Sequence, residues 1–142
     1  MAKIFVYGTL LKGCRNYERY LKDHVFSIQD GYVKGILYTI KGKDYPALLH
    51  GERMIHGEIL DIEPSVLPIL DELEGYYGIN DPRNEYEKIE SKIYDASETL
   101  IAELPVYFYN LYHPLQVHSC DQIILSNDYR IWLHEQFNDS IR

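Results

Sequence analysis

No apolar stretch in this sequence approaches the ~20 residues that a membrane-spanning helix requires. The opening lacks the apolar region of a signal peptide, since Lys3 is followed only by Ile4, Phe5, Val6 and Tyr7 before Gly8. Cysteine is nearly missing. Cys14 and Cys120 form no CxxC and are too few for a disulfide framework, so the chain is expected to be reduced and cytoplasmic. Positive charge is also short: 14 Lys and Arg face 22 Asp and Glu, for a net charge of −8. Without a basic footprint, nucleic acid is not an expected partner, and an acidic surface repels anionic bilayers. The six histidines show no HExxH or similarly tight spacing, so no metal is expected. His113 and His118, the nearest pair, read as loop residues. Repeats, low-complexity tracts and Pro/Gly/Ser-rich linkers are missing as well. Residues 1–142 therefore read as one domain, long enough to bury roughly 68–70% of its unfolded surface.

Tyrosine is what the chain has in excess, with 14 copies. Its flat apolar body and hydrogen-bonding tip suit both β-packing and the wall of a polar pocket. Short runs of β-forming residues recur along the chain. Ile4 to Tyr7 reads as a buried strand ending at Gly8. Asn16 to Leu21 suits a short helix. Val25 to Gln29 and Tyr32 to Ile40 read as two strands around an Asp30-Gly31 turn. Lys41-Gly42-Lys43 is a further turn, leading to Tyr45-Pro46-Ala47-Leu48-Leu49, and Arg53 to Ile62 reads as a strand interrupted by Gly57. Tyr86 to Tyr94 and Thr99 to Tyr109 suit a hairpin across Asp95-Ala96-Ser97, with Pro105 marking a bulge or an edge. Asp128 to Phe137 reads as an amphipathic helix whose Ile131, Trp132, Leu133 and Phe137 supply apolar surface. Many short strands with few helices point to a small barrel or a strongly curled sheet.

Two segments carry chemistry. The strand ending at Tyr7-Gly8-Thr9-Leu10 leaves amides in a turn, which suits a carboxylate or an oxyanion, although Gly8 and Thr9 also suit an ordinary strand-to-loop turn. Between the strand groups, Ser65 is placed as an N-cap and Pro68 in a first helical turn. Leu67, Leu70 and Leu73 mark the buried side, and Gly75 is the stop. Glu74 then occupies the last helical position. The negative helix end and Asp71, three residues back, both push its pKa up, as a general base near neutral pH requires. The plainer reading makes Asp71, Glu72 and Glu74 a solvated acidic face.

Together, Tyr7-Gly8-Thr9-Leu10 and Leu70-Asp71-Glu72-Leu73-Glu74-Gly75-Tyr76 resemble the YGTL and LDxxEG motifs of the γ-glutamylcyclotransferase superfamily, in its γ-glutamylamine cyclotransferase and AIG2-like branch. Gly35-Ile36-Leu37-Tyr38, Tyr45-Pro46-Ala47 and Val106-Tyr107-Phe108-Tyr109 extend the resemblance along the chain. The chain departs from the pattern at Lys88, where many relatives have arginine, at Asn127-Asp128-Tyr129, and in a long Tyr77–Glu85 loop that follows Glu74 and is placed to cover or reshape a pocket. The resemblance implies an α+β fold, a small mixed β-barrel with a few flanking short helices. It implies cyclisation of a γ-glutamyl amine or dipeptide to 5-oxoproline with release of the amine, needing no metal or cofactor. Glu74 maps onto the family's catalytic glutamate. Gly8, Thr9 and Leu10 would hold the substrate's α-carboxylate or oxyanion with Tyr7 packing beneath, and Tyr38, Tyr45, Tyr86 and Tyr109 are candidates for the pocket wall. The partner is a small γ-glutamyl molecule, and the protein is expected to be a monomer or weak homodimer. A barrel that binds a small carboxylate without turnover, and an amide-cleaving enzyme that unmasks a γ-glutamyl-protected metabolite, are the alternatives.

Overall fold

The computed structural model describes residues 2–140, and the side chains of residues 2–136. The elements are β1 (Ala2–Val6), a π-helical turn (Tyr17–Leu21), β2 (Val25–Ile40), β3 (Ala47–Ile62), a 3-10 turn (Pro64–Val66) running into α1 (Leu67–Leu73), β4 (Tyr86–Tyr94), β5 (Leu100–Tyr109), β6 (Cys120–Ile123) and α2 (Tyr129–Ser140). The strands form one antiparallel sheet in the order β1-β3-β2-β4-β5, with β6 added alongside β2. The fold is thus α+β as expected, but the barrel does not close. The sheet curls until its two edges meet, and there the Tyr7 hydroxyl donates to the Tyr107 carbonyl in place of a strand ladder.

Two readings of local sequence give way to packing. Asp30-Gly31 is no turn, because β2 runs straight through it. Gly31 lies opposite Gly57, and a Cβ on Gly57 would sit 2.2 Å from the Val6 carbonyl and 2.5 Å from the Phe5 ring. These glycines let the fully buried Phe5 ring press against the sheet; they do not break a strand. Likewise Ser65 does not cap α1: Val66 precedes the first helical residue and no side chain closes that end. Pro64 opens the 3-10 turn and Pro68 lies in the first turn of α1, where a missing N–H costs little.

The hairpin of β4 and β5 forms as read, and Pro105 sits on the edge strand opposite Glu90. The C-terminal helix is less amphipathic than expected, since Ile131 and Leu133 face solvent while Tyr129 is buried and Trp132 half-buried. Phe137, assigned to the same apolar side, falls outside the described side chains. Strand β6 has no counterpart among the expected elements. The core fills the inside of the curl, with Phe5, Leu37, Leu48, Ile55, Leu60 and Ile93 among its fully buried side chains. Leu70, also fully buried, pins α1 to that core, while Leu67 and Leu73 pack at its margin.

Candidate active site

Beyond β1 the backbone turns at once. The Leu11 N–H donates to the Gly8 carbonyl (3.0 Å), and the Thr9 carbonyl accepts the amides of Asn16 and Tyr17 (3.1 Å each). Among the described residues, the amides of Gly8, Thr9 and Leu10 themselves donate to nothing. Thr9 Oγ1 accepts from Asn16 Nδ2 at 2.8 Å, which fixes the turn and leaves the hydroxyl proton free to donate. Gly8 earns its place by closeness: a Cβ there would lie 3.1 Å from ring carbons of Pro46, across the same cavity.

Facing this turn is the end of α1. Gly75 adopts φ +63°, the left-handed conformation that favours glycine. Its N–H donates to the Glu72 carbonyl (3.1 Å) and the Tyr76 N–H to the Asp71 carbonyl (2.8 Å), a Schellman ending that closes the helix. Glu74 is therefore the capping residue itself, and its side chain enters the cavity. No group among the described residues hydrogen-bonds its carboxylate. Its pKa is pushed up to about 8, first by burial and then by the charge of Glu85. The direction is as expected, but its causes are burial and Glu85 rather than the helix end and Asp71. Asp71 is instead held by Lys88 Nζ (3.1 Å) and by the Tyr107 hydroxyl (2.6 Å), so its charge is spent on structure.

Between the two lies a cavity of about 140 Å³. Of the residues singled out in the sequence, Tyr7, Gly8, Thr9, Leu10, Tyr45, Glu74 and Tyr86 line it. Tyr109 does not. It lies behind the wall, edge-on to the Tyr86 ring with centroids 5.3 Å apart, and its hydroxyl shares a hydrogen bond with Ser119 Oγ (2.8 Å). Tyr38 is also outside the lining, paired within the sheet to Ala47 and Ile123. Tyr7 is more than packing beneath the turn, because its bond to Tyr107 ties the sheet edges together at the cavity floor. The Tyr86 hydroxyl donates to the Pro46 carbonyl (2.6 Å), which holds the wall opposite Gly8.

Sequence reasoning missed Arg15, Asn16, Glu85 and Tyr107, all of which line the cavity. Arg15 is half-exposed and paired with Asp44. Glu85 sits immediately before Tyr86, at the end of the loop singled out for its length. That loop does not drape over the cavity: Tyr77 and Ile79 face solvent, and within it only Glu85 reaches the lining. Adjacency to Tyr86 was the available signal, but the strand-face alternation points neighbours to opposite sides and gave no reason to bring both inward. Among the described residues, no group of three or more His, Cys, Asp or Glu side chains is arranged to hold a metal ion, and no helix is long and apolar enough to cross a membrane.

A family model described as gamma-glutamyl cyclotransferase, AIG2-like, matches residues 4–131. The chain belongs to the γ-glutamyl cyclotransferase, AIG2-like family. A relative in this family, the γ-L-glutamyl-butirosin B γ-glutamyl cyclotransferase of Niallia circulans, is 33% identical over 107 residues, covering 75% of this chain and 67% of that one. A γ-glutamylcyclotransferase-like protein of Methanocaldococcus jannaschii is 33% identical over 132 residues, or 92% of this chain and 97% of that one. The fold is shared with the crystal structure of an AIG2-like protein from Mus musculus (TM-score 0.63, 23% identity, 84% of each chain). It is also shared with a protein from Pyrococcus horikoshii (TM-score 0.63, 19% identity, 96% and 98% coverage).

Proposed function

We propose that this member of the cyclotransferase family converts a γ-glutamyl amine or dipeptide to 5-oxoproline and a free amine, with Glu74 as the general acid and base. The observation that carries the reading is an ionisable carboxylate without a hydrogen-bond partner among the described residues, facing a turn whose amides donate to nothing among them, across one small cavity. A γ-glutamyl group presents the complementary pair: an α-carboxylate for the amides of Gly8, Thr9 and Leu10, and an α-ammonium for Glu74.

With those two charges matched, the chain of the glutamyl group folds back on itself and its amine meets its own γ-carbonyl, a proximity gain worth several kcal/mol. Glu74 takes a proton from the α-ammonium, and the freed nitrogen attacks the carbonyl carbon. A C–N bond forms to close the five-membered ring, and negative charge gathers on the oxygen, where hydrogen-bond donors stabilise it. Glu74 returns that proton to the leaving nitrogen as the original amide C–N bond breaks. The carboxylate so regenerated takes the second proton from the ring nitrogen and passes it to the freed amine, which departs as an ammonium ion. No water enters the balance. A base whose pKa lies near 8 exchanges protons with both nitrogens at little cost near neutral pH.

The test is incubation with a panel of γ-glutamyl amines and dipeptides, with 5-oxoproline as readout, beside the Glu74→Gln variant. Release by the wild type and its loss in Glu74→Gln is the expected result. Release by neither protein, with the compounds still bound, would make the cavity a carboxylate-binding module. Turnover by Glu74→Gln at the wild-type rate would remove Glu74 from the proton transfers.

A further inference from the structure

The cavity holds a second carboxylate that the cyclisation does not use. Glu85 Oε2 accepts the Tyr45 hydroxyl at 2.7 Å, while Oε1 accepts nothing among the described residues. Oε1 lies 3.6 Å from the point where a Cβ on Gly75 would stand, so it flanks the residue next to Glu74. This placement is heavily built. The Glu85 N–H donates to the Gly75 carbonyl (3.0 Å), and the Glu85 carbonyl accepts both the Asn110 N–H and Gln116 Nε2 (3.0 Å each). Its neighbour Asn84, fully buried, bonds the Tyr77 N–H (2.6 Å) and the Gly78 carbonyl (2.7 Å) and is held in turn by Asn110 Nδ2 (2.9 Å). Three buried amide side chains thus fix one loop so that its final carboxylate faces the cavity.

Charge accounting gives that carboxylate a role. The α-ammonium and α-carboxylate of a γ-glutamyl group are met by Glu74 and by the turn amides, and Arg15 is engaged by Asp44. Glu74 must also reach the leaving nitrogen, so the substituent on that nitrogen lies beside Glu74 and hence beside Glu85. A carboxylate there attracts a cationic substituent and repels the α-carboxylate that any γ-glutamyl amino acid carries next to its amide. Resting on the cyclotransferase reading above, we propose that Glu85 is a specificity residue selecting γ-glutamyl compounds whose leaving amine bears a second positive charge.

Three compounds differing in that substituent test this: γ-glutamyl-diaminobutane (cationic), γ-glutamyl-pentylamide (neutral, near-isosteric) and γ-glutamylalanine (anionic). The wild type should favour the cationic over the neutral compound by about tenfold or more in kcat/KM, the scale of one charge-assisted contact. The anionic compound should rank last. Glu85→Gln keeps a partner for Tyr45 and should bring the cationic-to-neutral ratio close to one, and Glu85→Lys should raise γ-glutamylalanine above the cation. An unchanged ratio in Glu85→Gln, or an equal loss for all three compounds, overturns the proposal. If no compound yields 5-oxoproline, the catalytic reading fails separately, and calorimetric Kd values of the same three compounds for both proteins decide the charge preference. If Glu85→Gln does not fold, the wild-type ratio at low and high salt decides instead: a ratio that salt leaves untouched overturns the proposal.

Discussion

The cavity beside α1 and the polar cluster around His56 are made of similar residues with opposite bookkeeping. Around His56 both ring nitrogens, both Asp128 oxygens and the Arg53 guanidinium are paired. Nδ1 meets Asp128 (2.7 Å), Nε2 meets Asp30 (3.2 Å), and Arg53 bonds the Asn127 side chain (2.7 Å) and the Leu125 carbonyl (3.0 Å). The second Asp128 oxygen caps α2 through the Ile131 N–H (3.1 Å). In the cavity, the turn amides, Glu74 and Glu85 Oε1 have no partner among the described residues. Polar groups satisfied within the fold hold it together, and polar groups held open at a desolvated wall are available to a ligand. The same contrast separates two carboxylates on one helix, since Asp71 is fully engaged and Glu74 is not.

The largest effect should come from closing the open side of that contrast. Glu74→Gln should lower kcat/KM by roughly 10²–10⁴-fold, the usual contribution of a positioned acid–base group, read as 5-oxoproline release. Its stability should move the other way. An unfolded glutamate ionises near its ordinary value of about 4.3, whereas the folded Glu74 holds its proton to about 8. Rising pH therefore favours the unfolded chain across that window. Glu74→Gln should accordingly melt higher than the wild type at pH 8, with the gain shrinking to nothing near pH 4 in thermal melts.

His56→Ala should give the mirror image. It strips one oxygen of the buried Asp128 of its partner, which should cost about 1–3 kcal/mol in denaturant unfolding. Turnover should stay where it was. A loss of kcat/KM without a loss of stability would show that the two regions are not separate in function.

The parts of this design legible in the sequence are those set by near neighbours. Tyr7-Gly8-Thr9-Leu10 announces a strand end followed by free amides, and Glu74-Gly75 announces a helix ending in a carboxylate. The parts missed depend on what lies across the fold. Asp30-Gly31 carries a turn signature and Gly57 reads as a break in a strand, yet Phe5 on a third strand decides the use of both glycines. Nothing near Glu85 in the sequence says that Asn84, Asn110 and Gln116 will turn it inward, because two of the three lie on a distant segment. The direction of the Glu74 pKa shift matches the expectation from its position, but its causes, burial and Glu85, are not the helix end and Asp71 and arise only in the folded cavity.

A smaller change probes the geometry of the open wall. Gly8→Ala places a methyl 3.1 Å from Pro46 Cγ and Cδ, tighter than ordinary contact, so the Pro46 wall or the turn must yield. Because φ at Gly8 is not left-handed, the backbone itself tolerates alanine. The displacement should appear as weaker substrate binding, about tenfold in KM or ~1.4 kcal/mol, with kcat reduced less. An unchanged KM would mean that the turn amides do not set the fit.

The smallest predicted effect concerns how the two cavity carboxylates share charge. For the free enzyme, kcat/KM should rise with pH and level off above about 8, following ionisation of Glu74. Negative charge on Glu85 raises that pKa by disfavouring a second anion nearby, so Glu85→Gln should move the inflection to lower pH. Burial is the larger cause and survives the substitution, so the shift should be about one unit or less and the inflection should remain above the ordinary glutamate value. The neutral γ-glutamyl-pentylamide is the substrate to use, because its leaving group has no charge of its own to confound the titration. A downward shift sharpens the contrast drawn above: the cavity keeps its base reactive by denying Glu74 a partner and adding a like charge. An inflection that stays fixed would assign the raised pKa to burial alone.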